Sequence, residues 1–156
     1  MIKINLITIG DIKEKYLKDA IAEYNKRLSR FCDLKIIELK ESIASDSSQA
    51  SIEQALLKDA KNIEKHLRGH IIALCVDGKM WSSEELADKI QSISNFNSEI
   101  SFIIGASNGL HSTIKSIAKD KLSFSKMTFP HQLMRVITLE QIYRAFTILN
   151  NISYHK

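Results

Sequence analysis

The chain has 156 residues, 44% hydrophobic and 26% charged, a balance that buries a real core and excludes a disordered polymer. Its formal net charge of +4 favours a polyanionic partner only mildly, because many basic proteins of this size bind no nucleic acid. Two cysteines, Cys32 and Cys75, lie far apart in apolar surroundings, so both are expected as buried thiols in a reducing compartment rather than as a disulfide or metal pair.

The start, Met-Ile-Lys-Ile-Asn-Leu, lacks the layout of a signal peptide, and no apolar run approaches membrane-spanning length. A soluble, cytoplasmic protein is expected. Ile2 to Gly10 is isoleucine-rich, as a strand buried on both faces would be. Asp11 is placed to cap the next helix, whose core positions are Leu17, Ala20, Ile21, Tyr24, Leu28 and Phe31. Leu34 to Leu39 reads as a second strand. The serine-rich stretch Glu41 to Ser51 reads as a mobile, solvated loop. Ile52 to Leu67 is an amphipathic helix, with Gly69 expected as its left-handed cap.

His70 to Asp77 is the most apolar strand, followed by an expected turn at Asp77-Gly78-Lys79. Ser82 and Glu85 have the spacing of a capping box that opens a helix to about Ile93. Ile100 to Ile104 is a short strand closed by Gly105-Ala106-Ser107-Asn108-Gly109-Leu110, and a helix spans about His111 to Ala118. Leu122 to Ser125 is a final strand, and Lys126 to Phe129 a loop. Pro130, the only proline, stands where its fixed φ suits the first turn of a long helix. That helix is apolar almost all round, from Leu133 to Leu149, so either core or a second subunit should cover it. One polar stripe remains, Arg135, Thr138, Gln141 and Arg144, with Glu140 at ion-pair spacing from Arg144. The alternation predicts one α/β domain over residues 1–156, with a parallel-rich sheet and helices on both faces.

Ligands in open α/β sheets bind beyond the carboxyl ends of the strands, which here means Leu74 to Lys79, Gly105 to Leu110 and Ser123 to Phe129. Gly105 and Gly109 either let a ligand approach the main chain or merely shape a tight turn. No GxGxxG follows the first strand and there is no GxxxxGK[ST], against an ordinary dinucleotide enzyme or a P-loop NTPase. No serine stands in GxSxG, and the five histidines show no metal-ligand spacing; four of them border elements, where capping is expected. The last residues, Tyr154-His155-Lys156, are either an ordinary frayed end or a set suited to a nucleotide, able to stack, exchange a proton and meet phosphate.

Gly105-x-x-x-Gly109-Leu110, Leu122-Ser123 through Pro130-His131, Arg135, the Glu140-Gln141-x-Tyr143-Arg144-Ala145 run and the terminal Tyr154-His155-Lys156 together resemble the RlmH, or YbeA-type, family of small SPOUT-class methyltransferases. The resemblance runs the whole chain and is densest after Ile100. It implies an α/β fold with a C-terminal trefoil knot, knot and cofactor site mainly in 70–156, and a homodimer. It implies an S-adenosyl-L-methionine-dependent enzyme that methylates N3 of a pseudouridine in helix 69 of 23S ribosomal RNA. The small chain points to a dimer reading an assembled ribosomal surface. Carried over to this sequence, the cofactor site comprises Leu74, Gly105, Gly109 and the loop Phe124, Ser125, Lys126, Met127, Thr128 and Phe129. Ala106 stands where the family usually has a second glycine, and its methyl would narrow the pocket slightly.

Methyl transfer to a ring nitrogen needs no protein nucleophile, but the imide proton must leave, to a base or under the influence of nearby cations. His155 is the candidate base, and Arg135 or Arg144 the candidate cation, from the same chain or from the partner subunit. For Arg144 the alternative is a structural pair with Glu140. Tyr154 either stacks the flipped base or packs at the dimer seam. Lys13, Lys15, Lys18, Lys26, Arg27 and Arg30 either meet RNA phosphates or form a solvated face. Two rivals stand beside this reading: a SPOUT methyltransferase for another rRNA or tRNA site, and a non-catalytic ribosome-binding factor.

Overall fold

The computed structural model describes residues 1–156. Strand β1 (Ile2–Ile9) is buried without interruption from Ile4 onward, so it needs cover on both faces and a partner on both edges. β2 (Cys32–Leu39) lies on one side and β4 (Glu99–Ile104) on the other, both parallel to it. β3 (His70–Met80) then pairs with β4, and β5 (Asp120–Ser123) with β3, again in parallel, giving the order β2-β1-β4-β3-β5.

Alternation along the strands sends side chains to two separate cores. Ile4, Leu6, Ile72, Phe102 and Leu122 join the face covered by α1 (Lys15–Leu28), α3 (Ser83–Ser94) and α5 (His131–Leu149). Ile7, Ile9, Ala73 and Ile103 join the face covered by α2 (Gln49–Glu64) and α4 (Ser112–Ile117). α5 packs between α1 and α3, which explains why its sequence is apolar nearly all round. No helix is long and apolar enough to cross a membrane.

The Ser82–Glu85 capping box forms as its spacing requires, and His111 caps α4 by accepting from the Thr113 N–H at 3.2 Å. Several local expectations are corrected. Glu14, not Asp11, is the N-cap of α1, and Phe31 lies past the helix end. α2 starts within the serine-rich stretch, capped by Ser48, and the preceding loop is held where the Ser42 N–H donates to the buried Asp59 carboxylate at 3.0 Å. Gly69 does have a positive φ of 67°, but α2 has already ended at Lys65; a Cβ at Gly69 would meet the Glu99 carbonyl at 2.0 Å. Asp77-Gly78-Lys79 is not a turn between elements. β3 continues through it, with Leu74 and Lys79 both registered against Leu122, so the strand bulges around β5. Two members of the α5 stripe, Arg135 and Thr138, are buried at 1% exposure each, while Gln141 and Arg144 stay partly exposed.

Candidate active site

All five strands are parallel, so their carboxyl ends gather along one edge, where side-chain pairing stops and backbone groups are free. A cavity of about 870 Å³ opens there between β3, β4, β5 and the first turn of α5, within the size range of small-molecule sites. Its walls are largely apolar: Leu74, Ile104, Leu110, Leu122, Phe124, Phe129 and Met134. Eight of the nine residues expected to hold a cofactor line it, namely Leu74, Gly105, Gly109, Phe124, Ser125, Met127, Thr128 and Phe129. Lys126 does not line the cavity; its side chain is exposed between two residues that do.

Two glycines shape the floor. A Cβ at Gly105 would come within 2.5 Å of the Gly109 carbonyl, so this position is closed to any side chain. Gly109 has φ 76° with open space around it, and its N–H donates to the Ala106 carbonyl at 2.9 Å, closing the loop. Ala106 itself lines the cavity, where a methyl replaces the expected hydrogen. In the opposite loop the Ser123 hydroxyl donates to the Ser125 carbonyl at 2.9 Å, and the Met127 N–H donates to Ser125 Oγ at 2.9 Å. These bonds fix the β5–α5 loop without any regular element.

Sequence reasoning missed the polar members of the wall. Lys115 reaches Asp77 at 3.6 Å, and its charge holds the Asp77 carboxyl below its usual range. The pairing is invisible in sequence because it depends on the β3 bulge. Cys75 is half-buried in the cavity wall rather than fully buried, with its thiol pushed up by burial and then by Asp77; Cys32 is buried, its thiol pushed up to about 12. His131 also lines the cavity, signalled only by its place after Pro130.

The four proposed catalytic residues separate into two places. Arg135 is buried, donating to the Gly10 carbonyl at 2.6 Å, to the Ile9 carbonyl at 3.3 Å and to Glu38. It fastens α5 to the ends of β1 and β2 and does not line this cavity. Arg144, Tyr154 and His155 do come together. Asn151, at φ 53°, turns the chain back after α5, and the Ile152 N–H donates to the Thr147 carbonyl at 2.9 Å. The tail then lies along α5 and the start of α3.

Glu140 is the hub of this cluster, accepting from Arg144 Nε at 2.9 Å, from the Tyr154 hydroxyl at 3.2 Å and from Gln141 at 3.0 Å. The Tyr154 ring meets Tyr143 edge-on at 5.0 Å and carries the Arg144 guanidinium over it at 4.8 Å. Burial, then the Glu140 charge, push the Tyr154 phenol up to about 12. His155 lies between two partners, Arg144 Nη1 at 3.2 Å from Nδ1 and Glu84 Oε1 at 2.6 Å from Nε2. A guanidinium only donates, so Nδ1 is the acceptor and Nε2 carries the proton that Glu84 receives. The hydrogen bond from His155 holds the Glu84 carboxyl below its usual range.

The cavity and the tail cluster lie apart within one chain. Met134 is in the cavity wall and Arg144 follows ten positions later on the same helix, about 15 Å along its axis at 1.5 Å per residue. No residue of the tail lines the cavity.

A parallel α/β sheet with a glycine-floored cavity at its carboxyl edge defines a ligand-binding α/β protein, and comparison with known proteins gives the family. The family profile described as "Predicted SPOUT methyltransferase" matches residues 2–155. The chain belongs to the SPOUT methyltransferase family. It is 50% identical over 158 aligned residues to Ribosomal RNA large subunit methyltransferase H of Bifidobacterium adolescentis, covering 99% of each chain. It is likewise 50% identical over 158 aligned residues to the enzyme of that name in Streptococcus suis, again over 99% of each. A solved structure, a probable methylase family protein from Haemophilus influenzae, superposes over 98% of this chain and 70% of its own with a TM-score of 0.56 at 16% identity, which supports the fold.

Proposed function

We propose that this chain is a ribosomal RNA methyltransferase that uses S-adenosyl-L-methionine to methylate N3 of a pseudouridine in helix 69 of 23S rRNA. It would act as a homodimer on the assembled ribosome, with residues 1–156 as a single domain in each subunit. The relatives' name and the whole-chain identity support the substrate class. The single observation that carries the mechanism is the distance between cavity and tail. A cofactor in the cavity of one subunit and a base held by the tail cluster can meet only if a second copy supplies the tail.

The cavity fits the cofactor by chemistry. Apolar walls from Leu74, Ile104, Leu110 and Phe124 suit an adenine ring, and the Gly105 floor brings main chain to the ligand where any Cβ would fill the space. When bound, the cofactor supplies a methyl group on a sulfonium, open to direct displacement by a ring nitrogen. The C-terminal trefoil knot is part of this proposal. The passage of β3 around Leu122, with Gly78 so near Lys121 that a Cβ would be 2.7 Å from its backbone, supports the close threading a knot needs.

The tail cluster deals with the imide proton. Arg144 is held charged by its hydrogen bond from Nε to Glu140, which raises its pKa. The Nη1 group that now donates to His155 Nδ1 is free to turn to a carbonyl oxygen of the substrate. That move releases the Nδ1 lone pair, which accepts the N3 proton, while the guanidinium stabilises the anion left on the ring. The Glu84 carboxylate on Nε2–H keeps the imidazole in the tautomer whose Nδ1 is free to accept.

Complementation tests this arrangement. A chain lacking Tyr154 to Lys156 and a Gly105→Val chain should each be inactive, and mixed dimers should recover part of the activity. Mixtures as inactive as the parents would refute the shared site.

A further inference from the structure

Of the eleven aromatic side chains, all but Tyr16 and Phe96 are buried, packed on the core, in the cavity wall or in contact with another ring or cation. Tyr24, Phe31, Tyr143, Phe146 and Tyr154 form one connected set of ring contacts, and Trp81 lies against Lys89. Tyr16 is different. Its residue is 71% exposed, its ring meets no other ring or cation, and its hydroxyl has no hydrogen-bond partner. Nothing in the fold asks for it, since Leu17 and Leu28 bury the inner face of α1 while Tyr16 points outward. An aromatic ring left in water on a helix surface has no stabilising role within the chain.

Its surroundings say what it would meet. Lys13, three positions before it, is exposed and not within ion-pair distance of an acid, whereas Lys15 is neutralised by Asp19 at 2.7 Å, and Lys18, two positions on along α1, projects from the other flank of the helix. The segment also borders the cavity. A Cβ on Gly10 would be 3.7 Å from Nε2 of His131, a cavity-wall residue, and Gln132 donates to the Asp11 carbonyl at 3.3 Å. Tyr16 follows Gly10 by six residues, at most about 20 Å of chain. By contrast the other highly exposed aromatic, Phe96 at 87%, lies in the α3–β4 loop at the opposite edge of the sheet, flanked in sequence by Asn95 and Asn97.

We infer that Tyr16, with Lys13, is a docking point for RNA at the start of α1, the helix that follows the segment bordering the cavity, the ring stacking on an unpaired base and the ammonium group meeting a backbone phosphate. This deepens the reading above by giving the RNA a contact outside the reacting nucleotide. An exposed ring with an unpaired cation close by in the chain is a combination single-stranded nucleic acid uses: the stack is tolerant of base identity, and the charge meets the backbone.

Binding of the full-length protein to large ribosomal subunits, measured by co-sedimentation without cofactor, tests the inference apart from methyl transfer. Tyr16→Ala should weaken binding by about fivefold or more, the loss expected for one base stack. Tyr16→Phe should bind nearly as well as the unaltered protein, because the ring and not the hydroxyl makes the contact. Lys13→Gln should lower the salt dependence of binding by about 0.7 in log–log slope. In turnover, Tyr16→Ala should raise KM for the ribosomal substrate and leave kcat and cofactor affinity unchanged. Unaltered binding by Tyr16→Ala overturns the inference, as does Tyr16→Phe binding as weakly as Tyr16→Ala. A change of oligomeric mass in Tyr16→Ala also overturns it, by placing the ring in a protein interface. Failure of the unaltered protein to bind subunits sinks the docking point, whereas binding without methyl transfer counts only against the assigned reaction.

Discussion

Arg135 of α5 donates to the carbonyl of Gly10 at 2.6 Å across 125 residues of sequence. With its bond to Glu38, this makes Arg135 the fastening between the C-terminal helix and the carboxyl ends of β1 and β2. The pair is lopsided: the Arg135 side chain is 2% exposed and that of Glu38 45%. Removing the arginine leaves the Gly10 and Ile9 carbonyls without their donor, whereas removing the glutamate leaves a buried cation still bonded to two carbonyls.

Arg135→Ala should therefore destabilise the protein by about 2–3 kcal/mol, lowering Tm by about 5–10 °C. Glu38→Gln should cost about 1 kcal/mol or less, because its partner keeps two acceptors and the carboxylate is half in water. Thermal unfolding of the two variants checks the order. Equal losses would show that the ion pair, and not the carbonyl contacts, is what counts.

The cavity floor gives a second ordering. Gly105→Ala places a methyl 2.5 Å from the Gly109 carbonyl, so the loop must move. S-adenosyl-L-methionine affinity, measured by calorimetry, should fall by about tenfold or more. Gly109→Ala meets no atom within 4 Å but keeps a positive φ of 76°, so its cost is strain of about 1–2 kcal/mol in stability with a smaller effect on affinity.

These two cases mark what could and could not be read from the sequence. The end of β4 and its loop were legible, because the apolar run Ile100 to Ile104 stops at Gly105, and parallel strands send their carboxyl ends to one edge. The same local logic fails where a partner is remote. Arg135 reads as part of a polar stripe until Glu38, 97 residues away, is placed beside it. Asp77-Gly78-Lys79 reads as a turn until β5 pairs on both sides of it. The tail residues were legible as chemistry but not as a place, since their position depends on the reversal at Asn151.

The docked tail predicts a pH response. The Tyr154 phenol, ordinarily near 10, is pushed up to about 12 in the folded chain by burial and Glu140. A raised pKa means that this group's contribution to stability is complete below pH 10 and is lost as pH rises toward 12. Phenolate absorbance should show one tyrosine ionising late, and Glu140→Gln should bring that step back toward 10. A late step that survives Glu140→Gln together with undocking of the tail would contradict the assignment.

Arg144 serves two partners through different nitrogens, Nε toward Glu140 and Nη1 toward His155. Lysine has one nitrogen and cannot reproduce that fork. Arg144→Lys should lower kcat by about tenfold or more while leaving S-adenosyl-L-methionine binding unchanged, because the cavity lies about 15 Å away along the helix. Single-turnover kinetics beside calorimetry separate the two effects. A matching loss of cofactor affinity would place Arg144 at the cofactor instead.

The measurement that tests the whole account most directly is methyl transfer from S-adenosyl-L-methionine to ribosomes that lack this modification, read by mass spectrometry of the helix 69 fragment. The account predicts a gain of one methyl group on the pseudouridine, abolished by deletion of Tyr154 to Lys156 with cofactor binding intact. Methyl transfer to another site, or none to ribosomes or subunits despite cofactor binding, would contradict it.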